Sequence, residues 1–582
     1  MPPKPKRTKP DRRAVAVVGP GWVQVRSDRT PNQFDRRAFN VTTALDILRI
    51  VEAVPLGHPN SAVQVWVLAE HVTALGLEFR PDPNQSHKHQ RADVERQLAK
   101  AGKPFLASAI DAGWTLQGNG LGARATFSRT DVDGKMRSVA IVLEPYQWLL
   151  DGKGAGVTGQ DGTVTELDLD PVRRAAQIIE RIEVVDELLD VLPLATPALA
   201  ATKLLDRDQV IARAARKRGA PMIDAKGRKL HRPIDEAGVI PKLDGRAGIG
   251  SNDVFPATNW WRQPTKAEIE NATWAIQLDQ RWAYPYAVNE LWLGYGTPRW
   301  VDGEEAQKLA WKLATDADRQ VFALWRAQPP TWDEKHIFPP HPDFTNANGV
   351  LAWLFPPTLK ILTGDPDNFG GGYTIEHLNI SGAWVWPESG QMLQRLYKSA
   401  KKCWDHLNDP ANDNPALKAW LESFGKNSVR AAIGRHASKF AQDDADPDKR
   451  DRPKPWRYQP IWWPAATAAT TARLWWQAQR IRAKHYVWPI QAATDSLTYL
   501  VDDEQLAALE DADDKRLGIL KVDKVQPFMP DVADELRERL SELRGSSPNR
   551  ILWPPEAKGQ ADAADQDSDQ DYELDETDEE VE

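Results

Sequence analysis

The stretch from Arg482 to Gln505 constrains the fold more than any other part of the sequence. An apolar run, Tyr486 to Ile490, leads into the polar segment 493–496, and a second apolar run, Leu497 to Val501, leads away from it. Two short β-type runs on either side of a polar segment predict a β-hairpin. Asp495 would then lie at the tip, where a carboxylate can bind a metal ion. The alternative is an ordinary hairpin with an aspartate in its turn.

Length and composition set broad bounds on the answer. At 582 residues the chain is too long for one hydrophobic core, so two to four domains are expected. The single cysteine, Cys403, excludes a disulfide framework and favours a reducing, cytoplasmic setting. No apolar run approaches 18 residues, which excludes a transmembrane helix and a membrane partner. The 25 tryptophans serve as core residues or, beside arginine and lysine, as stacking surfaces for bases.

Charge is concentrated at the two ends of the chain. The segment 562–582 carries 12 acidic residues, so the remaining chain has a net charge of about +3 although the whole chain has −9. Residues 1–13 form a basic, proline-rich arm that either contacts phosphates or is simply solvated. The acidic segment, 557–582 in our domain assignment, is expected to be a disordered tail that aids solubility; competition with nucleic acid is the alternative.

An N-terminal α+β domain is predicted over residues 14–205. Residues 14–18 and 22–26 flank a Gly-Pro-Gly turn and predict a strand pair, and residues 123–128 and 138–143 flank Asp133-Gly134, which predicts a hairpin. Residues 171–192 have helical spacing. Residues 206–256 follow as a basic linker. Its Arg216, Lys217 and Arg218 are candidate DNA contacts, and a solvated connector is the alternative.

Two amphipathic helices are predicted over residues 391–407 and 416–438, joined by a short proline-containing loop. Helices joined in this way are typically antiparallel neighbours. Arg395, Lys398 and Lys402 form a basic stripe on the first helix, and Lys426 and Arg430 lie one turn apart on the second. Together they predict a cationic cleft suited to a triphosphate, unless they are only the solvated faces of the two helices.

The tip segment Ala493-Thr494-Asp495-Ser496 resembles the palm hairpin of family B DNA polymerases, which usually reads Asp-Thr-Asp-Ser. The resemblance implies that Asp495 is a metal ligand. The stretch from Trp282 to Trp300 resembles the first palm motif, a strand followed by a turn. Aligned on Val288-Asn289, it places Ala287 where the family has its other metal aspartate, and Trp292 where the family has the aromatic residue that excludes ribose.

Two further segments resemble the same family in the same order. Lys426 and Gly434 have the eight-residue spacing of the fingers motif, although Arg430, Ala431 and Ile433 replace the family's Asn, Ser and Tyr. Residues 517–522 resemble the strand whose lysine, here Lys521, holds the primer. The resemblance implies an α+β, multidomain, right-hand polymerase body. Its parts are palm (257–390), fingers (391–440), second palm part (441–525) and thumb-like remnant (526–556), behind a degenerate RNase H-like exonuclease fold.

The implied chemistry is two-metal phosphoryl transfer, in which carboxylates hold two Mg²⁺ ions. With Ala287 at one ligand position and Glu290 the only nearby carboxylate, Mg²⁺ would bind weakly or not at all. We therefore expect a DNA-binding replication or chromosome-end protein, a nucleotide-binding pseudoenzyme of a plasmid or phage. Its partners would be single-stranded or primer-template DNA and a terminal or replication protein. Telomere-associated proteins of linear bacterial replicons bear a looser resemblance.

The sequence leaves two other functions open. It also leaves open whether the chain is an enzyme. One is an active DNA polymerase with Asp495 and Glu290 as its catalytic metal ligands. The other is a tryptophan-rich interaction protein without nucleotide chemistry.

Overall fold

The computed structural model describes most of the chain in segments. These are residues 14–27, 33–54, 62–80, 84–117, 120–130, 136–146, 169–189, 212–221, 258–317, 320–329, 336–341, 351–437, 459–511 and 516–529, with single positions between them. The chain divides into two compact units. Unit 1 comprises residues 1–203, 405–428 and 561–582, and unit 2 comprises residues 204–404 and 429–560.

Unit 1 is built around a mixed sheet. Its strands are β1 (Val15–Gly19), β2 (Trp22–Arg26), β3 (Phe34–Ala38), β4 (Val63–Val67), β5 (Thr115–Gln117), β6 (Arg124–Thr130) and β7 (Met136–Leu143). Its helices include α1 (Ala44–Ala53), α2 (Ala69–Ala74), α3 (His87–Asp111) and α4 (Pro171–Leu189).

The seven strands have the order β3-β2-β1-β4-β7-β6-β5. The central strands β1, β4 and β7 are parallel, whereas the outer pairs are antiparallel. Parallel strands are usually covered on both faces, and the apolar sequences of β1, β4 and β7 are typical of such strands. Helices α1 and α3 pack on one face. Helix α4 packs on the other, through Ala175, Ile178, Ile179 and Ile182 against Val15, Val17 and Trp66.

Unit 2 begins with short elements that alternate between strand and helix. They are β8 (Asn259–Trp261), α5 (Lys266–Asn271), β9 (Trp274–Gln280), α6 (Ala283–Ala287), β10 (Leu293–Tyr295), β11 (Arg299–Asp302), α7 (Gly303–Ala314), β12 (Ala323–Ala327), β13 (Ala352–Leu354), α8 (Pro356–Thr363), β14 (Gly382–Val385) and β15 (Glu388–Gly390).

The remaining elements follow in the second half of the chain. They are α9 (Gln394–Leu407), α10 (Pro415–Ala437), α11 (Trp462–His485), β16 (Gln491–Ala493), β17 (Ser496–Val501), α12 (Asp503–Asp511) and β18 (Leu520–Pro527). The division between the units falls inside α9 and inside α10.

A five-stranded antiparallel sheet with the order β18-β9-β17-β16-β8 is the centre of unit 2. One of its faces carries Ile276, Leu278, Leu497 and Tyr499, which pack with Leu474 and Trp475 of α11. Because side chains alternate along a strand, Asp279 and Ser496 belong to the opposite face. A second, four-stranded sheet with the order β11-β14-β12-β13 packs against α7 and α8.

Most of the elements predicted from periodicity are confirmed. The pairs β1–β2 and β6–β7 are antiparallel as expected, and the predicted helices correspond to α4, α9 and α10. Residues 42–53, which the sequence left open between helix and strand, contain helix α1. The expected strand at the start of the stretch from Trp282 is wrong, because residues 283–287 form α6.

Several predictions concern residues outside the described segments. These are the basic arm 1–13, the turn Asp133-Gly134, most of the linker 206–256, residues 441–458 of the second palm part, most of the thumb-like segment 526–556 and the acidic tail 557–582. The domain boundaries and the RNase H-like exonuclease fold stay predictions. None of the described helices is long and apolar enough to cross a membrane.

Candidate metal and nucleic-acid site

The predicted hairpin is confirmed, and Asp495 lies at its tip. Strands β16 and β17 pair through Ala493 and Ser496, which leaves only Thr494 and Asp495 in the turn. Thr494 adopts a left-handed backbone conformation, with φ of +50°. The Ser496 hydroxyl donates to the Ala493 carbonyl at 3.0 Å, and the Thr494 amide donates to the Thr258 carbonyl at 2.7 Å. These bonds hold the tip in place.

A second aspartate, Asp279, lies beside this tip. Strand β9 pairs with β17, and Asp279 is directly opposite Ser496, the residue that follows Asp495. Directly opposite residues in an antiparallel pair have Cα atoms about 4.5–5.5 Å apart and side chains on the same face. The amide of Gln280 also donates to the Asp495 carbonyl at 3.0 Å. Both aspartates are half-buried and lie at the same end of the five-stranded sheet.

Lys521 lies on the other side of Asp279. Strand β18 pairs with β9, and Lys521 is directly opposite Asp279. The prediction that Lys521 belongs to a strand is confirmed, although the strand begins at Leu520 and not at Leu517. Its ammonium nitrogen is 3.8 Å from Oδ1 of Asp523. The sheet therefore places Lys521 and Asp279 at directly opposite strand positions, with Asp495 in the adjoining turn.

The geometry expected for Ala287 and Glu290 is not observed. Ala287 is the last residue of α6, so the argument that placed it on a strand beside Asp495 does not hold. Glu290 is exposed in the turn after that helix, and Trp292 is half-buried just before β10. Glu290 lies close enough to Arg473 to raise the pKa of that guanidinium, while burial, the largest influence, lowers it.

Aromatic side chains hold α6 against the helix that covers the sheet. Tyr284 stacks on Trp463 with ring centroids 5.1 Å apart and an angle of 15° between the planes. Tyr286 lies under the guanidinium of Arg473, at 5.0 Å from ring centroid to Cζ. A side chain at Gly518, where φ is +74°, would collide with the Tyr286 ring. Packing of this kind fixes the segment that follows Asp279.

The predicted basic stripes lie on regular helices. Arg395, Lys398 and Lys402 belong to α9, with the Lys398 ammonium 2.8 Å from Oε1 of Gln394. Lys426 and Arg430 are exposed on α10. That the two stripes together form a triphosphate cleft stays a prediction. On the linker, residues 212–217 are helical, and Arg216, Lys217 and Arg218 are exposed at its end, where Gly219 has φ of +62°.

The donor set at the sheet end suits a hard divalent cation. Mg²⁺ is typically held by one or two carboxylates and completes its shell with water and substrate phosphates. Asp279 and Asp495 supply two such carboxylates. Among the described residues there is no cluster of three or more metal-ligating side chains, so a cation there would need further ligands from water or substrate.

Asp279 is the residue that the sequence reasoning missed. Residues 276–279 alternate apolar and polar side chains as a half-buried strand does, and the last of them is Asp279, five residues before the aromatic Tyr284. That pattern was a usable signal. The alignment on Val288-Asn289 places the metal ligand at Ala287, eight residues after Asp279.

Comparisons with known proteins give structural likeness only. No family model matches the chain, and no curated protein matches it. Among solved structures, phi29 DNA polymerase with primer-template DNA and incoming nucleotides is similar, at 11% identity and a TM-score of 0.39. The match covers 89% of this chain and 85% of that one.

The same polymerase bound to primer-template DNA alone is similar at 11% identity and a TM-score of 0.37 over 88% of this chain and 84% of that one. Its complex with single-stranded DNA gives 12% identity and a TM-score of 0.36 over 87% of this chain and 81% of that one. Likeness at these scores decides neither the fold nor the function.

Proposed function

We propose that the chain binds DNA and transfers nucleotides in a metal-dependent, polymerase-type reaction, with Asp279 and Asp495 as the metal-binding carboxylates. One observation carries the proposal: Asp279 is directly opposite Ser496, so that it adjoins Asp495 at the hairpin tip. The family resemblance calls for two such aspartates, one on a strand and one in the hairpin, and Asp279 and Asp495 match this. Ala287 no longer counts against it, because Ala287 belongs to a helix.

Each residue has a distinct role in this proposal. The two carboxylates would hold divalent cations, which when bound stabilise the charge that develops on the transferred phosphate. Lys521, directly opposite Asp279, would contact a phosphate of the DNA backbone at the same sheet end. The basic residues of α9 and α10 that belong to unit 2 (Arg395, Lys398, Lys402 and Arg430) would bind the incoming triphosphate.

A primer-extension assay with Mg²⁺ or Mn²⁺ tests this proposal. We expect synthesis by the wild-type chain and a loss of at least about 1000-fold in Asp279→Asn and in Asp495→Asn. Such a loss corresponds to about 4 kcal/mol of transition-state stabilisation. Glu290→Gln is the matched control, since Glu290 lies in a turn outside the sheet, and it should retain activity.

Two results would contradict the assignment. Loss of synthesis in Glu290→Gln together with normal synthesis in Asp279→Asn would make Glu290 the second ligand. Absence of synthesis by the wild-type chain with either metal would favour a second candidate function, DNA binding without catalysis.

One observation favours that second candidate. Ile433, at the position where the fingers motif has a base-pair-lining tyrosine, is fully buried in the structure. A buried isoleucine cannot contact an incoming nucleotide. Under this alternative, DNA binding should weaken steeply with salt because counterions are released from the phosphates, and it should persist in Asp279→Asn. The partner would be single-stranded or primer-template DNA.

A further inference from the structure

A basic cavity lies within unit 2, on the face of the five-stranded sheet opposite Asp279. Its volume is about 260 Å³, and it lies between the end of α11, helix α12 and the start of β18. Leu278 lines it, whereas the next residue, Asp279, points to the other face because side chains alternate along a strand. The cavity and the Asp279 side chain therefore belong to opposite faces of one sheet.

Four of the residues that line this cavity are basic. They are Arg480, Lys484 and His485 from α11 and Arg516 from the segment before β18. Among the described residues that form the lining there is no carboxylate; the others are aliphatic, apart from Gln477. The described lining thus combines cationic and aliphatic side chains and contains no acidic one. Such a lining favours an anionic ligand with a small apolar portion.

The positive charges of this region influence one another. Burial, followed by the neighbouring charge of Lys484, lowers the pKa of His485. Arg480 and Arg516 also lower the pKa of Arg473, in addition to its burial. The guanidinium groups of Arg473 and Arg480 both lie over the ring of Trp476, at 4.4 Å and 4.7 Å from the centroid. Bringing an anion into such a field would relieve the repulsion among these cations.

The walls of the cavity are held at a fixed separation. The side chain of Gln477, on α11, donates to the Gly518 carbonyl at 3.0 Å and accepts from the Leu520 amide at 2.8 Å. A buried side chain that makes both bonds ties the helix to the strand. The backbone segments that carry the cationic residues are therefore held in place before a ligand binds, which reduces the entropy that the ligand must overcome.

We propose that this cavity binds a polyphosphate group, either inorganic pyrophosphate or the phosphates of a nucleotide. Arginine and lysine together offer several donors to phosphate oxygens, and charge-assisted bonds of this kind are the strong ones. The volume is at the lower end of small-molecule sites, which fits a compact anion better than a large cofactor. Ile481 and Leu509 provide an apolar surface that the sugar or base of a nucleotide can contact. The site needs no divalent cation, and it does not depend on the proposed nucleotide transfer.

Calorimetric titration of the full chain in EDTA tests the proposal, because without divalent cations Asp279 and Asp495 are not expected to hold a polyphosphate. The probes are inorganic pyrophosphate and a deoxynucleoside triphosphate. We expect wild-type binding in the micromolar to millimolar range and at least about tenfold weaker binding in Lys484→Gln combined with Arg516→Gln. The control Lys312→Gln, an exposed lysine of α7, and the variant Asp279→Asn should bind as the wild type does.

Lys484→Arg, which retains the charge, should preserve binding. Circular dichroism melting of each variant checks that the fold is intact. Weakening for both probes assigns the site to the polyphosphate group, and weakening for the triphosphate alone assigns it to a nucleotide. Absence of wild-type binding at millimolar concentration would overturn the proposal. So would undiminished binding of both probes by the folded double variant.

Discussion

The two units differ in how deeply they bury the acidic residues that lie at the ends of their sheet strands. In unit 1, Glu144 directly follows β7, and it forms an ion pair with Arg174, with Arg174 Nε 2.7 Å from Glu144 Oε1 and both side chains about 95% buried. The guanidinium of Arg174 also pairs with Glu70, which lies just beyond β4. In unit 2, Asp279 and Asp495 are only half-buried at their strand ends. Glu144 is thus buried, whereas Asp279 and Asp495 are partly exposed.

This difference indicates where each unit is specialised. The burial of Glu144 raises its pKa, while Arg174 and the backbone amide of Ala69, 2.8 Å away, act in the opposite direction. Such a group is part of the structural core. The side chains of Asp279 and Asp495, by contrast, are only partly buried. Three predictions follow from this contrast, in order of decreasing effect on stability.

The largest effect is expected for Arg174→Met in unit 1. Removing one partner of a buried ion pair leaves an uncompensated buried charge, which typically costs about 3–5 kcal/mol. Hydrogen exchange of the amides in β4 and β7 measures this loss in the full chain. Arg173→Met, at an exposed position one residue earlier in α4, is the control and should cost less than about 0.5 kcal/mol. Equal exchange rates in the two variants would show that the buried pair is not structural.

A smaller, pH-dependent effect is expected for His341 in unit 2. Burial lowers the pKa of His341 to about 4, from 6.5 for a free histidine. The unfolded chain therefore takes up a proton at a higher pH than the folded chain does. Stability is complete above pH 6.5 and falls as the pH approaches 4, by about 3 kcal/mol for this residue.

Urea unfolding of the full chain at pH 7 and pH 4.5 measures this contribution. His341→Gln should show a smaller decrease between the two pH values than the wild type, whereas the exposed His336→Gln should match it. An unchanged decrease in His341→Gln would mean that other groups cause the acid sensitivity.

The smallest effect on stability is expected for Asp279→Asn. The substitution preserves shape and removes one charge from a half-buried position opposite Lys521, and such partly exposed pairs contribute about 1 kcal/mol or less. The melting temperature of the full chain should change by only a few degrees, although the proposed activity should be lost. A drop comparable to that of Arg174→Met would make Asp279 a structural residue and remove the contrast between the two sheets.

The local pattern of apolar and polar residues was sufficient to predict several helices and strands of this fold. Periodicity identified α4, with Ile178, Ile179 and Ile182 on its buried face, and the apolar runs around the tip identified the hairpin of Asp495. The register of the five-stranded sheet could not be predicted in this way. It pairs Asp279 with Ser496 across more than 200 residues of chain, and such pairing depends on tertiary packing and not on neighbouring residues. The basic cavity was missed for the same reason, because its residues come from separate elements.

The pairing of strand β9 limits the insertions and deletions that the sequence can tolerate. It is paired along both edges, so its register is fixed by β17 on one side and β18 on the other. Inserting or deleting one residue within it would exchange its two faces, turning Leu278 outward and Asp279 into the core. One such change would disrupt the proposed metal site and the proposed polyphosphate site together. By contrast, the irregular step between Val522 and Lys524 shows that β18 accommodates an extra residue. Length variation should therefore be confined to the neighbours of β9 and the loops around it.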